Sequence, residues 1–274
     1  MIPQSVQLRS SGEGKSLSHP VGQERAHSHA GNRLLAALPP DVMARLNDDL
    51  HLVSLASGMV LFEPGDPIEQ VYFPQSGLIS LMVITRDGDA IATGTIGREG
   101  AVGLHRGLGK RRSFSRATAQ VAGHVWVIAA SKFELAIGAS TAARDVICDY
   151  TELLWAESQQ LAACNAVHDA ASRLCRSLLQ SADRAGSDQL PLTQEALANA
   201  LGVRRTSVTL LAQGLQRKGV IRYARGMIHI LDRSRLEACA CECYQVMKGE
   251  GLSDAIGART AHDSGPMWIA TPSS

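Results

Sequence analysis

The residues best suited to chemistry lie between Leu190 and Asp232. This stretch carries Arg204, Arg205, Arg217, Lys218, Arg222 and Arg225, interleaved with the hydroxyls of Thr193, Thr206, Ser207 and Thr209 and the amide of Gln194. Guanidinium groups can pair with guanine O6 and N7, and short polar side chains can donate to phosphate oxygens. Residues 199–235 hold eight Lys or Arg against one acid, Asp232, a local charge of +7. Residues 34–145 hold ten basic against eleven acidic residues, a charge of −1, and the whole chain carries only +1. The positive charge is therefore concentrated where a polyanion could meet it. A charge run alone is more often a solvated face, so the elements that carry it must decide.

Those elements read as two helices and a wing. Thr193 is placed to cap a helix whose apolar positions are Leu197, Ala200 and Leu201. Gly202 supplies a tight turn, and a second helix runs from Arg204 or Arg205 to Lys218 with Val208, Leu211 and Leu215 inward. Gly219 ends it, and two short strands, 220–222 and 227–231, are joined by a turn at Ala224, Arg225 and Gly226. Helix, glycine turn, helix and hairpin is the sequence form of a winged helix-turn-helix. Thr193 and Gln194, at the start of the first helix, suit contacts to the phosphate backbone.

Upstream, the period changes. Residues 34–49 suggest a short helix, with Asp41 placed to cap it after Pro39 and Pro40. Between Leu50 and Ser131, apolar runs such as 71–73, 77–84 and 125–128 alternate with Gly and Pro turns, Asp87-Gly88 being a hairpin signal. Such spacing predicts a sandwich or roll. Residues 142–165 form one long helical segment with Ile147, Tyr150, Leu154, Leu161 and Cys164 on one stripe, interrupted by Glu157. That stripe reads equally as a core face or as a dimer seam of coiled-coil type. A further helix from His168 to Ala185 is terminated by Gly186. The divisions expected are a disordered tail (1–33), a sensor roll (34–141), a dimerisation helix (142–167), a winged helix-turn-helix (168–248) and a second disordered tail (249–274).

This order resembles the cyclic-AMP receptor protein and fumarate–nitrate regulator superfamily, the Crp–Fnr regulators. The resemblance is carried chiefly by residues 192–232, with support from Phe62-Glu63-Pro64-Gly65-Asp66, Gly77, Gly88 and Gly97-Arg98-Glu99-Gly100, and spans residues 34–247. It implies an α+β chain: an N-terminal double-stranded β-helix (a jelly roll like a cyclic nucleotide-binding domain), a long dimerisation helix and a C-terminal winged helix-turn-helix. It also implies a homodimer on a palindromic site in double-stranded DNA, with RNA polymerase as a protein partner. Arg205 matches the family's arginine that meets a guanine and nearby phosphate. The family's following reader is commonly Glu and here is Thr206, and a second arginine position is Leu210. Arg204, Arg205, Thr206, Ser207 and Thr209 are then expected to read a different half-site, with Arg222 and Arg225 in the wing.

Cyclic-nucleotide members hold the ribose with a Glu and the cyclic phosphate with an Arg-Ser pair. Glu99 fits the first, shifted by one residue. The pair aligns with Ser113 and Phe114, with Arg111 and Arg112 just before, so Glu99, Arg111, Arg112 and Ser113 are the effector candidates. Beyond a cyclic nucleotide no cofactor is expected. The family's oxygen sensor uses an N-terminal cysteine cluster, yet no cysteine precedes Cys148. Cys239, Cys241 and Cys243 would place Cys239 and Cys243 on one helical face, where they read as small apolar residues; no fourth ligand for a cluster is evident, and no metal is expected. Closely paired His and Glu of cupin type are absent from the roll sequence, which argues against an enzyme. The alternatives are a cyclic-nucleotide-responsive or redox-responsive regulator, or a roll-type binding module acting on a protein partner. No run of 18 apolar residues and no signal-peptide core are present, so a cytoplasmic chain with reduced thiols and no membrane association is expected.

Overall fold

In a computed structural model of the chain, residues 31–104 and 112–249 are described. The tails expected at 1–33 and 249–274 lie almost wholly outside the described residues. Asn32 is buried, caps α1 (Arg33–Ala36) through Leu35 N, and donates to the carbonyls of Pro74 and Gly100. α2 (Pro40–Leu46) has Pro39 at its cap position with no side-chain cap bond, so Asp41 lies in the first turn rather than capping. A proline at the first helical position loses no hydrogen bond there, which makes the cap dispensable.

Among the described residues, seven strands build the roll: β1 (His51–Leu55), β2 (Val60–Phe62), β3 (Gln70–Pro74), β4 (Leu78–Ile84), β5 (Ala90–Ile96), β6 (Arg116–Val121) and β7 (Gly123–Ala129). They form two antiparallel sheets, in the orders β1-β7-β3 and β2-β6-β4-β5. Alternation buries Ala117, Ala119 and Val121 of β6; Ala117 and Ala119 pack against Phe62, Ile79 and Ile96 from the same sheet and Val125 and Val127 from the other. The β4–β5 hairpin turns at Gly88, whose φ of 89° suits glycine.

α3 (Ala130–Gly138) packs Phe133 on Phe73 of the roll, ring centroids 5.4 Å apart. α4 (Thr141–Val167) follows, 27 residues capped by Ser140 and about 40 Å long. Its Tyr150 is buried in the roll, where the hydroxyl accepts from Ala101 N (3.0 Å) and donates to Ala101 O (3.1 Å). Gly100 leaves the space for that ring, since a Cβ there would fall 2.0 Å from the Tyr150 oxygen.

The C-terminal unit comprises α5 (Ala170–Ala185), β8 (Gln189–Leu190), α6 (Gln194–Leu201), α7 (Arg205–Arg217), β9 (Ile221–Ala224), β10 (Met227–Ile230), α8 (Arg233–Cys239) and α9 (Cys243–Gly249). β8 adds a third strand to the wing, in the order β8-β10-β9. Leu174, Leu178, Leu197, Val208, Leu215 and Ile228 share one core with Leu78 and Val121 of the roll. The cysteine-bearing segment is not one helix: it breaks at Ala240, which separates Cys239 from Cys241 and Cys243. No helix of the described residues is long and apolar enough to cross a membrane.

Candidate nucleic-acid interface

The two-helix unit is fixed by its caps and turn. Thr193 Oγ1 accepts from Ala196 N at 3.1 Å, and Gly202 closes α6 in the left-handed conformation at φ 62°. The same backbone would cost an L side chain about 1 kcal/mol or more. Val208, Ala212 and Leu215 face the core, which leaves Arg205, Thr206, Leu210, Gln213 and Arg217 exposed on the other side of α7. Arg204 is the cap residue and Arg205 the first of the helix; Arg205 Nε donates to Gln194 Oε1 at 3.2 Å, joining the starts of α6 and α7. Thr209 donates to Arg205 O, and Ser207 is half-buried beside Arg204 O.

The wing comes to the same place. Gln216 accepts from Tyr223 N, tying α7 to β9. Burial holds the Tyr223 phenol above its ordinary value, offset by the Gln194 backbone and the Arg205 guanidinium. Tyr223 is thus a member of the cluster that sequence reasoning missed. Gln213 is another, exposed seven residues beyond Thr206 and able to pair with adenine. At the wing tip, Arg225 has φ 50° and Gly226 φ 76°, the two left-handed residues of a tight primed turn. Arg222 is exposed on β9. The +7 segment is not all available, however. Arg233 is engaged by Asp183, Asp188 (3.4 Å) and Glu237 (3.3 Å), and Arg235 lies 3.9 Å from Asp232. Arg204, Arg205, Arg217, Lys218, Arg222 and Arg225 remain as the exposed cations of this face.

A cavity of about 890 Å³ lies among the roll, α4 and α5. Arg112 and Ser113 line it, with mostly apolar neighbours such as Phe62, Leu81 and Val83; Arg111 falls outside the described residues. Glu99 is not on its wall. Its carboxylate accepts from Gly97 N (2.9 Å) and pairs with Arg184 Nε (3.1 Å). Arg184 also bonds Glu157 (2.7 Å) and Thr95 Oγ1 (2.6 Å), so one buried guanidinium ties α5 to α4 and to the roll. Glu157, which interrupts the stripe read from the sequence, serves this network. Of the effector candidates among the described residues, Arg112 and Ser113 thus face the cavity, while Glu99 is taken up by Arg184 instead.

The dimer residues expected from the sequence divide. Tyr150 and Cys164 are fully buried within the chain, and Ile147 and Leu154 are half-buried against the roll. Leu161 is half-buried on the cavity wall. The outward stripe of α4 is instead Cys148, Trp155 and Ala162, one heptad apart, with Trp155 68% exposed.

A roll with the topology of a sensor domain, a long helix and a cationic winged helix-turn-helix define a class of one-chain DNA-binding regulators. A family model for a Crp-like helix-turn-helix domain matches residues 172–239, and one for a cyclic nucleotide-binding domain matches residues 52–139. The chain belongs to the Crp–Fnr superfamily and is a DNA-binding transcriptional regulator. Among solved structures, FixK2 from Bradyrhizobium japonicum is similar at 18% identity and TM-score 0.62, over 70% of this chain and 98% of that one. A putative Crp/Fnr-family transcriptional regulator from Eubacterium rectale is similar at 19% identity and TM-score 0.59, over 77% and 98%. The c-di-GMP-responsive global regulator CLP of Xanthomonas campestris is similar at 17% identity and TM-score 0.56, over 70% and 99%. At these identities the likeness is one of fold. No curated protein matches the sequence.

Proposed function

We propose that this regulator works as a homodimer that sets one α7 into each of two successive major grooves of a palindromic duplex, with RNA polymerase as its protein partner. The observation that carries the reading is the convergence of Gln194, Arg205 and the wing on one exposed cationic face. Arg205, Thr206, Thr209 and Gln213 face the base edges, with Arg204 and Ser207 at the helix start; Thr193, Gln194, Arg222 and Arg225 hold the phosphates. The outward stripe Cys148–Trp155–Ala162 supplies the dimer seam and spaces the two reading helices by about 34–36 Å, one turn of the duplex. The apolar cavity beside α4 is the site for an effector, which would act on the helix that carries the seam.

Selection from random duplexes tests the DNA reading: a palindrome with two equal half-sites should be enriched. Enrichment of single half-sites only, or of nothing, overturns it. Sedimentation of Trp155→Glu tests the seam, and the variant should sediment as a monomer at concentrations where the parent is a dimer.

A further inference from the structure

The C-terminal end of α4 and the break between α8 and α9 meet in a small cluster outside the cationic face of α7 and the wing. Cys164 and His168 stand four residues apart where α4 gives way to α5, and Cys241 and Cys243 flank the start of α9. The ligand atoms of all four lie within 4.8 Å of one another, and the three cysteines are buried. Cys164 Sγ is 3.5 Å from Cys241 Sγ, and Cys243 Sγ is 3.6 Å from His168 Nδ1. A tetrahedral ion bound to sulfur at about 2.3 Å and to nitrogen at about 2.0–2.1 Å requires S···S and S···N separations of about 3.5–3.8 Å.

The surroundings match a metal site as well. His168 Nε2 bonds Glu242 Oε1 at 2.9 Å, which fixes the ring and leaves the Nδ1 lone pair toward Cys243. A metal-ligating histidine commonly has such a carboxylate behind it. Gln160 Nε2 donates to Cys243 Sγ at 3.0 Å. Arg176 is 3% exposed, bonds only the neutral Gln180 among the described residues, and acts electrostatically on both Cys164 and Cys241. A buried guanidinium without a carboxylate calls for a nearby negative charge. Met247 closes the apolar side.

We propose that Cys164, His168, Cys241 and Cys243 bind one Zn²⁺ ion, fastening the end of the long helix to the junction of α8 and α9. Three thiols lose their protons to solvent, neutral His168 donates through Nδ1, and the resulting ZnS₃N unit carries one net negative charge, which Arg176 faces. The set is complete, with four protein ligands and no open position, so the ion is structural rather than catalytic. Four ligand atoms this close enclose a single ion; an iron–sulfur cube would hold its cysteines further apart. Cys239 takes no part: it lies across the break from Cys241 and packs on the α5 core.

The test uses the full chain, expressed with zinc in the medium and purified without chelator or polyhistidine tag. Elemental analysis should find roughly one zinc per chain, released by a mercurial thiol reagent. Replacement by Co²⁺ should give thiolate-to-cobalt charge transfer and the intense visible bands of a tetrahedral ion. Cys243→Ser and His168→Ala should lose the metal, while Cys148→Ser and Cys239→Ala retain it. Should the ligand variants fail to fold, Glu242→Gln decides, because loss of the carboxylate behind His168 should weaken zinc in a chelator competition by about 10–100-fold. Less than roughly a tenth of an ion per chain after zinc or cobalt addition, an octahedral cobalt spectrum, or a Cys164–Cys241 disulfide in protein kept under reductant would each overturn the proposal.

Discussion

In the proposed complex Arg205 keeps one partner and gains another. In the free protein its Nε donates to Gln194; on DNA the guanidinium can turn its other nitrogens to a guanine while Gln194 keeps it aligned. Arg205→Ala should flatten the preference at one base pair per half-site by about 1–3 kcal/mol. Arg222→Ala should weaken all sequences alike and lower the salt slope by about one; anisotropy titrations on cognate and scrambled duplexes separate the two. Arg225 can be separated from stability. Its φ of 50° disfavours most side chains but suits asparagine. Arg225→Asn should leave the melting temperature equal or higher while still weakening DNA binding. Sequence reasoning reached Arg205 through charge and position, but not Gln213 or Tyr223. Gln213 lies two turns down the helix, and its only signal is the seven-residue interval from Thr206. Tyr223 joins the cluster because β9 folds back along α7, which no local pattern announces.

At the level of elements, α5 begins where α4 ends, and Asp169 makes that start. Its carboxylate accepts from Ala171 N (2.8 Å), Ser172 N (3.1 Å) and Ser172 Oγ (2.7 Å), which hold it below the usual aspartate range. A depressed folded value means the cap stabilises fully above the unfolded value of about 4 and is lost as the pH falls through the folded one. Asp169→Ala should cost about 1 kcal/mol at neutral pH, and the difference from the parent should close in acid, as urea titrations at several pH values would show. Arg184 joins α5 to Glu157 and Glu99 across two element boundaries. Arg184→Gln should leave two half-buried acids without their cation and lower the melting temperature by several degrees. The length of α4 was legible because its periodicity persists over seven turns. The role of its apolar stripe was not, because a core face and a dimer seam satisfy the same pattern, and only packing within the chain shows Tyr150 and Cys164 buried. β6 escaped notice for a different reason: its inward residues include Ala117 and Ala119, too small to mark an alternation.

For the molecule as a whole, the sorting of charge is the property the sequence displays most plainly, since a neutral total conceals a cationic end. If six to ten phosphates are neutralised per dimer, affinity should fall by about 10³–10⁵ between 50 and 200 mM salt, whereas a protein partner on the same face would show a much shallower fall. What no segment of sequence could display is the joining of the two ends. Leu78 and Val121 of the roll sit in the same apolar core as Leu174, Leu178 and Ile228 of the winged unit. Neither side can be stripped of its neighbour without opening that core to water. The regulator should therefore melt as one cooperative body, with a single calorimetric transition rather than two. A protease cutting near His168 should yield fragments that stay associated until denaturant parts them. In that sense the reading head has no separate existence, and news from the sensor need not travel far to reach it.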